Sequence, residues 1–387
     1  MGPSRGLKAF TAFLLASCLA YDCEKETFRL RNQEDADALR GCSVLTGDVV
    51  IPSAAEGNIN LNGVEKIVGN LLSQQCDDDC PGITSLASDN LTDITGALSL
   101  RNMTGLTTVS LQSLQTVGGN INVEGLPELT ALNLTKLESA GSIYLRWNPK
   151  LANLTLPRVE FITGEESTIE MVDLAIDQWP TFIIRQTSLV PGARRLGKLL
   201  VRDLPNINRF EFNNADVIDT LEAHGLPHQK AMLQILEYNT RERARDGRAD
   251  MPADVIHNLT LTGFGQNFTV TGTRANPNLK IEVTSLTIAN GTMPQVSLFS
   301  VTNMTRLSVV DNPGIKVFSM PGGYDGMTPF PWERIVFRNN PHILFGDRSP
   351  PDSEGEHAGL FSLSGWRWGF NTSSLVLESN PMHFRWL

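Results

Sequence analysis

Long hydrophobic runs are missing from this sequence, and so is any continuous block of basic charge. The apolar stretch at residues 9–19 is too short to span a bilayer comfortably, which argues against a transmembrane helix. A formal net charge of −10 with no basic block argues against nucleic acid as a partner. Catalytic signatures are absent as well: there is no HExxH, no P-loop, no GxGxxG after a strand, and no GxSxG beyond residue 6, the match at Gly2-Pro-Ser-Arg-Gly6 having no strand before it and lying in the N-terminal segment. His224 and His228 stand four apart, but Gly-Leu-Pro lies between them and forms no helix, so they offer no metal-binding face. No catalytic, cofactor-binding or metal-ligating residue emerges, and no cofactor is expected.

What the chain does contain is a repeat. Residues 97–119, 120–141 and 142–164 are units of 23, 22 and 23 residues, each closed by a Gly. Laid over one another they share seven apolar columns: Leu98/Ile121/Ile143, Leu100/Val123/Leu145, Leu106/Leu129/Leu151, Val109/Leu132/Leu154, Leu111/Leu134/Leu156, Leu114/Leu137/Val159 and Val117/Ala140/Ile162. One coil of this size cannot bury its own apolar face, so coils must stack into a solenoid. Gly47-Asp-Val-Val-Ile51 and Asn58-Ile-Asn-Leu61 read as the first strands, and Val64, Ile67 and Leu71 continue the pattern. The period weakens after residue 164 but persists. Leu199, Val201 and Leu204-Pro205 repeat the spacing of Ile121, Val123 and Leu126-Pro127, and so do Leu221, Ala223 and Leu226-Pro227. Near the C-terminus, Leu307/Val309/Asn312-Pro313, Ile335/Phe337/Asn340-Pro341 and Leu375/Leu377/Asn380-Pro381 match Ile143/Leu145/Asn148-Pro149. Proline suits the corner after a short strand, and the Asn beside it is expected to satisfy turn backbone locally. Segment 230–254 breaks the pattern as an inserted helix or loop. Its basic residues at 241–248 (Arg241, Arg243, Arg245 and Arg248) read as a solvated surface, with polyanion binding as the rival. Trp366, Trp368 and Trp386 are expected to cover the C-terminal end, with sugar contact as the alternative.

The N-terminus reads as a targeting segment: Arg5 and Lys8 precede the apolar run, and Cys18 and Ala20 satisfy a small-x-small cleavage rule. Residues 1–20 are thus a signal peptide, and removing their two cations takes the net charge from −10 to −12. A bacterial lipoprotein box with Cys18 lipidated is the competing reading. Four cysteines remain, Cys23, Cys42, Cys76 and Cys80, and four allow three pairings. Cys23–Cys42 with Cys76–Cys80 is the most local, and its first bridge would seal the open end of the stack. A metal site at Cys76-Asp-Asp-Asp-Cys80 lacks the second pair of ligands that tetrahedral zinc wants. Nine Asn-x-Ser/Thr sequons, at Asn90, Asn102, Asn133, Asn153, Asn258, Asn267, Asn290, Asn303 and Asn371, are an enrichment over chance and point to glycosylation on a eukaryotic secretory route.

Leu129-x-x-Leu132-x-Leu134 and Leu151-x-x-Leu154-x-Leu156 partly fit leucine-rich repeats, but Leu137 and Val159 stand where that family places its Asn ladder. The Gly-ended unit with a second strand (Ile121-Asn-Val123, Ile143-Tyr-Leu145) looks more like the receptor L-domain. The N-terminal Cys pair with Gly47-Asp-Val-Val-Ile51, Leu126-Pro-Glu-Leu129 and Val117-Gly-Gly119 resembles the fungal GPI-anchored cell-wall organisation proteins related to sporulation-specific Sps2. The resemblance covers residues 21–164 well and the remainder loosely. It implies a secreted, N-glycosylated surface protein serving wall integrity, with no catalytic residues to transfer. It also implies a GPI anchor, whereas the segment after Asn371 offers only short apolar groups and no anchor signal, so a soluble product is expected.

The expected fold is mainly β: a right-handed parallel β-solenoid, receptor L-domain-like and related to leucine-rich repeats, with irregular insertions. Residues 21–164 would form a regular N-terminal part and residues 165–387 a less regular continuation. The expected function is non-catalytic, extracellular wall organisation through a cell-wall glycan or a surface protein. The rivals are a β-helix enzyme acting on wall polysaccharide, which needs carboxylates grouped on neighbouring coils, and a receptor-like ectodomain with a protein ligand.

Overall fold

A single line of apolar residues runs the length of the molecule. In a computed structural model, Phe28, Val49, Leu71, Leu98, Ile121, Ile143, Ile169, Leu199, Leu221, Leu259, Leu286, Leu307, Ile335 and Leu375 are each paired in parallel register with the next. The first thirteen are buried. The structure describes residues 22–74, 82–156, 160–161, 167–178, 195–207, 217–226, 254–265, 268–269, 281–298, 301–319, 332–345, 360–361 and 374–380. Every strand pairing among them is parallel, and the chain is a parallel β-solenoid. Two shorter stacks complete the first coils. One aligns Ile59, Leu86, Val109, Leu132 and Leu154. The other aligns Leu45, Ile67, Ile94 and Val117. In the later coils, long strands such as Arg195–Arg202, Val217–His224 and Asp254–Thr262 extend the main sheet. Alternation of inward and outward residues makes this possible, because each strand sends every second side chain into the shared core.

The register departs from the expected columns at one place. Ala140 pairs with Phe161, not Ile162, so the third unit is one residue shorter there. Phe161 and Ile162 are adjacent and both apolar, so composition alone does not fix which one faces the column. The inserted segment lies outside the described residues up to residue 253. Asp254 itself opens a strand that pairs directly with Val217–His224, so the stack keeps its register across the insertion. The main line of pairs also passes from Ile143 through Ile169 to Leu199 without a break at residue 164.

From Asn102 onward, each described coil turns out of the main sheet through one left-handed residue. Asn102, Gly125, Trp147, Asp173, Asp203, Gly225, Gly263, Asn290, Asp311, Asn339 and Ser379 occupy the same place in successive coils, with φ between 53° and 71°. Gly, Asn and Asp dominate because they tolerate this conformation best. The N–H of the corner residue carries the strand ladder onward, as from Gly125 to the Arg146 carbonyl at 3.0 Å. Elsewhere, Gly119 and Gly141 let backbones approach, since a Cβ on Gly141 would lie 3.0 Å from the Gly119 carbonyl oxygen.

Just past the corner, the Asn of the Asn-Pro pairs does more than satisfy its own turn. Asn148 is fully buried; its amide donates to the Val123 carbonyl of the preceding coil at 2.8 Å and accepts from the Leu126 N–H at 3.0 Å. Asn312, Asn340 and Asn380 repeat this, donating to Ile288, Val309 and Phe337 and accepting from Gly291, Asn312 and Asn340. An Asn ladder therefore exists, at a column other than the one the leucine-rich-repeat comparison indicated. It bridges coils just past the corner, where side-chain amides continue the bonding that the corner N–H carries onward.

The N-terminal end is closed by the Cys23–Cys42 disulfide and a short helix, Gln33–Asp37, capped by Asn32. The Gln33 amide bonds both the N–H and the carbonyl of Asn60, covering the edge strand Asn58–Asn60 as another strand would. The Arg31 guanidinium holds the Asp35 carboxyl below the usual carboxylate range. That contribution is present at neutral pH and is lost as pH falls through the lowered value. A bridge closing a loop of this size contributes roughly 2–4 kcal/mol.

Leu132 is fully buried in mid-stack, and its neighbour Asn133 faces outward. Leu132→Asp places a charge in the packed interior and should abolish secretion, whereas Asn133→Gln should cost under about 1 kcal/mol. Secretion assays with thermal melts of both variants check this; equal behaviour would contradict the register.

Candidate functional site

The outer face of the main sheet carries a line of alternating charge. Arg101, Glu124, Arg146, Glu170, Lys198 and Glu222 come from six successive strands of the stack. Arg101 Nη2 and Arg146 Nη1 lie 3.7 and 3.6 Å from Glu124 Oε1. Arg146 also bonds Glu170, and its guanidinium sits 4.7 Å from the Tyr144 ring centre. Lys198 Nζ lies 3.8 Å from Glu170 and 3.5 Å from Glu222. His224 follows, 3.7 Å from Glu222 and 2.6 Å from the Thr262 hydroxyl. A second cluster holds Asp219 in a two-point bond from Arg195, at 2.9 and 2.8 Å.

Parallel in-register stacking makes this pattern necessary. Outward residues of neighbouring strands stand about 4.8 Å apart, so like charges in one column would repel at every rung. Glu124 and Glu170 are only 13% and 11% exposed, so their charge must be matched locally. Arg146, between them, serves both. Glu124 Oε1 is buried without a hydrogen-bond partner among the described residues, so it depends on its two guanidinium neighbours. Three carboxylates, Glu124, Glu170 and Glu222, do therefore line up on alternate coils, which the outward composition of the regular units did not suggest. Each faces a cation, and an arginine separates Glu124 from Glu170. No grouping of His, Cys, Asp or Glu among the described residues is able to hold a metal ion.

The sequons sit mainly elsewhere. Asn90, Asn102, Asn153, Asn258, Asn290 and Asn303 are exposed and Asn133 is half-buried, its Oδ1 accepting from Thr135. Asn133 and Asn153 lie on the short second sheet. Asn102 and Asn290 occupy left-handed corners, and Asn258 projects from the main sheet between Thr220 and Ser285. Around the charge line from Glu124 to Glu222, the outward face carries no sequon. Asn267 and Asn371 lie outside the described residues, as do Cys76, Cys80, the Arg241–Arg248 cluster, Trp366, Trp368, Trp386 and the signal segment.

One residue breaks the corner rule. Trp147 is the sole bulky side chain among the eleven left-handed corners, at φ 56°, and it remains 51% exposed. The conformation costs roughly 1–2 kcal/mol for a residue with a Cβ, and the exposed ring recovers little of that in the core.

Neither this residue nor the charge line stood out in the sequence. Arg101, Glu124 and Arg146 are 22–23 residues apart and meet only once coils are superposed. The readable signal was the residue following Leu100, Val123 and Leu145, which alternates in sign. Comparison with protein-family models, with curated proteins and with solved structures gives no match. No helix among the described residues is long and apolar enough to cross a membrane.

Arg146→Met should cost about 2–4 kcal/mol, because it leaves two largely buried carboxylates without their shared cation. Arg101→Met, at a 46% exposed side chain 3.7 Å from its partner, should cost less than about 1 kcal/mol. Combining Arg146→Met with Glu124→Gln and Glu170→Gln should recover most of the loss. Denaturant unfolding of the four proteins measures these differences.

Proposed function

We propose that this protein is a secreted or cell-surface glycoprotein that contributes to fungal cell-wall organisation by non-catalytic binding, with a wall glycan or a surface protein held against the outer face of its main sheet. The observation that carries this reading is the neutralised charge line. Every glutamate on it is engaged by a cation, so the face offers a rigid, patterned polar surface and no free carboxylate pair for glycosidic cleavage. Two features support the setting. The Cys23–Cys42 disulfide fits an oxidising environment. The described sequons are all at least partly exposed. The wall as the site of action rests on the resemblance of the N-terminal coils to the Sps2-related proteins.

The enzyme reading has its own supporting observation, the alignment of Glu124, Glu170 and Glu222 on alternate strands of one face. Incubation with fungal wall extract followed by pull-down and oligosaccharide analysis separates the two. The binding role predicts retention on wall material with no shorter oligosaccharides released. Turnover that disappears in Glu124→Gln or Glu170→Gln would replace it with the enzyme.

A further inference from the structure

We infer that the N-glycan on Asn102 is docked on the protein's own surface, its first N-acetylglucosamine stacked on the indole of Trp147 across Gly125. Three residues in one column carry the inference. Asn102, Gly125 and Trp147 are the corner residues of three successive coils, all left-handed. Adjacent corners are about 4.8 Å apart, so Asn102 and Trp147 are separated by about 10 Å. The Asn102 side chain already leans across this gap, because a Cβ added to Gly125 would lie 2.5 Å from Asn102 Oδ1. Between the amide and the indole, Gly125 presents no side chain.

Chemistry on both sides fits. Asn102-Met-Thr104 is a sequon, and Asn102 is exposed, with its amide nitrogen donating no hydrogen bond among the described residues. Trp147 is the anomaly that requires a reason: a bulky aromatic in a corner that otherwise takes Gly, Asn, Asp or Ser, half exposed. A strained, exposed outlier points to function before packing. A pyranose ring presents an apolar C–H face that an indole covers, while its hydroxyls remain in water. The surroundings favour a neutral sugar over a charged ligand, since the adjacent charges are already matched by Glu124, Arg146 and Glu170. Asn290 supplies an internal contrast. It is also a sequon at a left-handed corner, but Asp311 follows it in the column and no aromatic stands within two coils, where Asn339 comes next.

Hydroxyl-radical footprinting of the full glycoprotein, read by mass spectrometry, tests the inference without depending on stability. Asn102 should be occupied, and Trp147 oxidation should rise several-fold in Asn102→Gln while staying at the wild-type level in Asn290→Gln. Trimming with an endoglycosidase that leaves the first N-acetylglucosamine should keep Trp147 protected, and complete removal of the glycan should expose it. A Trp147→Asn/Asn102→Gln double variant should melt no lower than the less stable single variant, because the two residues act through one contact. An unoccupied Asn102, equal Trp147 oxidation in wild type and Asn102→Gln, or additive melting effects would each overturn it.

Discussion

In-register parallel pairing between coils is the constraint on which the rest of the structure depends. Once Leu98, Ile121 and Ile143 are placed side by side, every other position in those coils is stacked on its own kind. Inward columns must be apolar throughout, corners must accept positive φ in each coil, and backbones that meet closely must lack a Cβ. The buried Asn ladder answers the same requirement. Just past the corner, Asn148, Asn312, Asn340 and Asn380 add side-chain bonds from one coil to the one before it. A buried amide without those partners would be destabilising; with them it locks adjacent coils in register.

The same stacking governs the surface. An isolated glutamate on a sheet face has water for company, but one repeated at the coil spacing meets its neighbours. The chain alternates Arg101, Glu124 and Arg146 in one column, then shifts diagonally to Glu170 and Lys198. The face that results is rigid and electrically balanced, which suits recognition by shape and hydrogen bonding better than long-range steering. Against this regular background Trp147 stands out because every other corner obeys the local rule.

Much of the fold was legible because burial repeats. The columns through Leu106/Leu129/Leu151 and Val109/Leu132 are apolar for one reason only, and superposing units of similar length exposes them. Legibility failed where two adjacent residues satisfied the same demand, as at Phe161 and Ile162, and where a residue's partner lay in another coil. Asn148 and Asn340 looked like turn residues because their sequence neighbours are prolines; their buried bonds reach 25 and 31 residues back. The charge line was hidden likewise, since no local window contains both Glu124 and Arg146.

Continuity of the stack through the irregular middle of the chain is the central claim, and hydrogen-exchange mass spectrometry of the intact glycoprotein addresses it directly. In a one-dimensional stack each coil is supported by both neighbours, so protection should be highest in the interior and decline gradually to either end. Strands Ile143–Asn148, Thr168–Leu174, Arg195–Arg202 and Val217–His224 should therefore exchange as one slow block. An abrupt step in protection between Thr168–Leu174 and Arg195–Arg202, with the two sides opening independently, would contradict a single continuous solenoid.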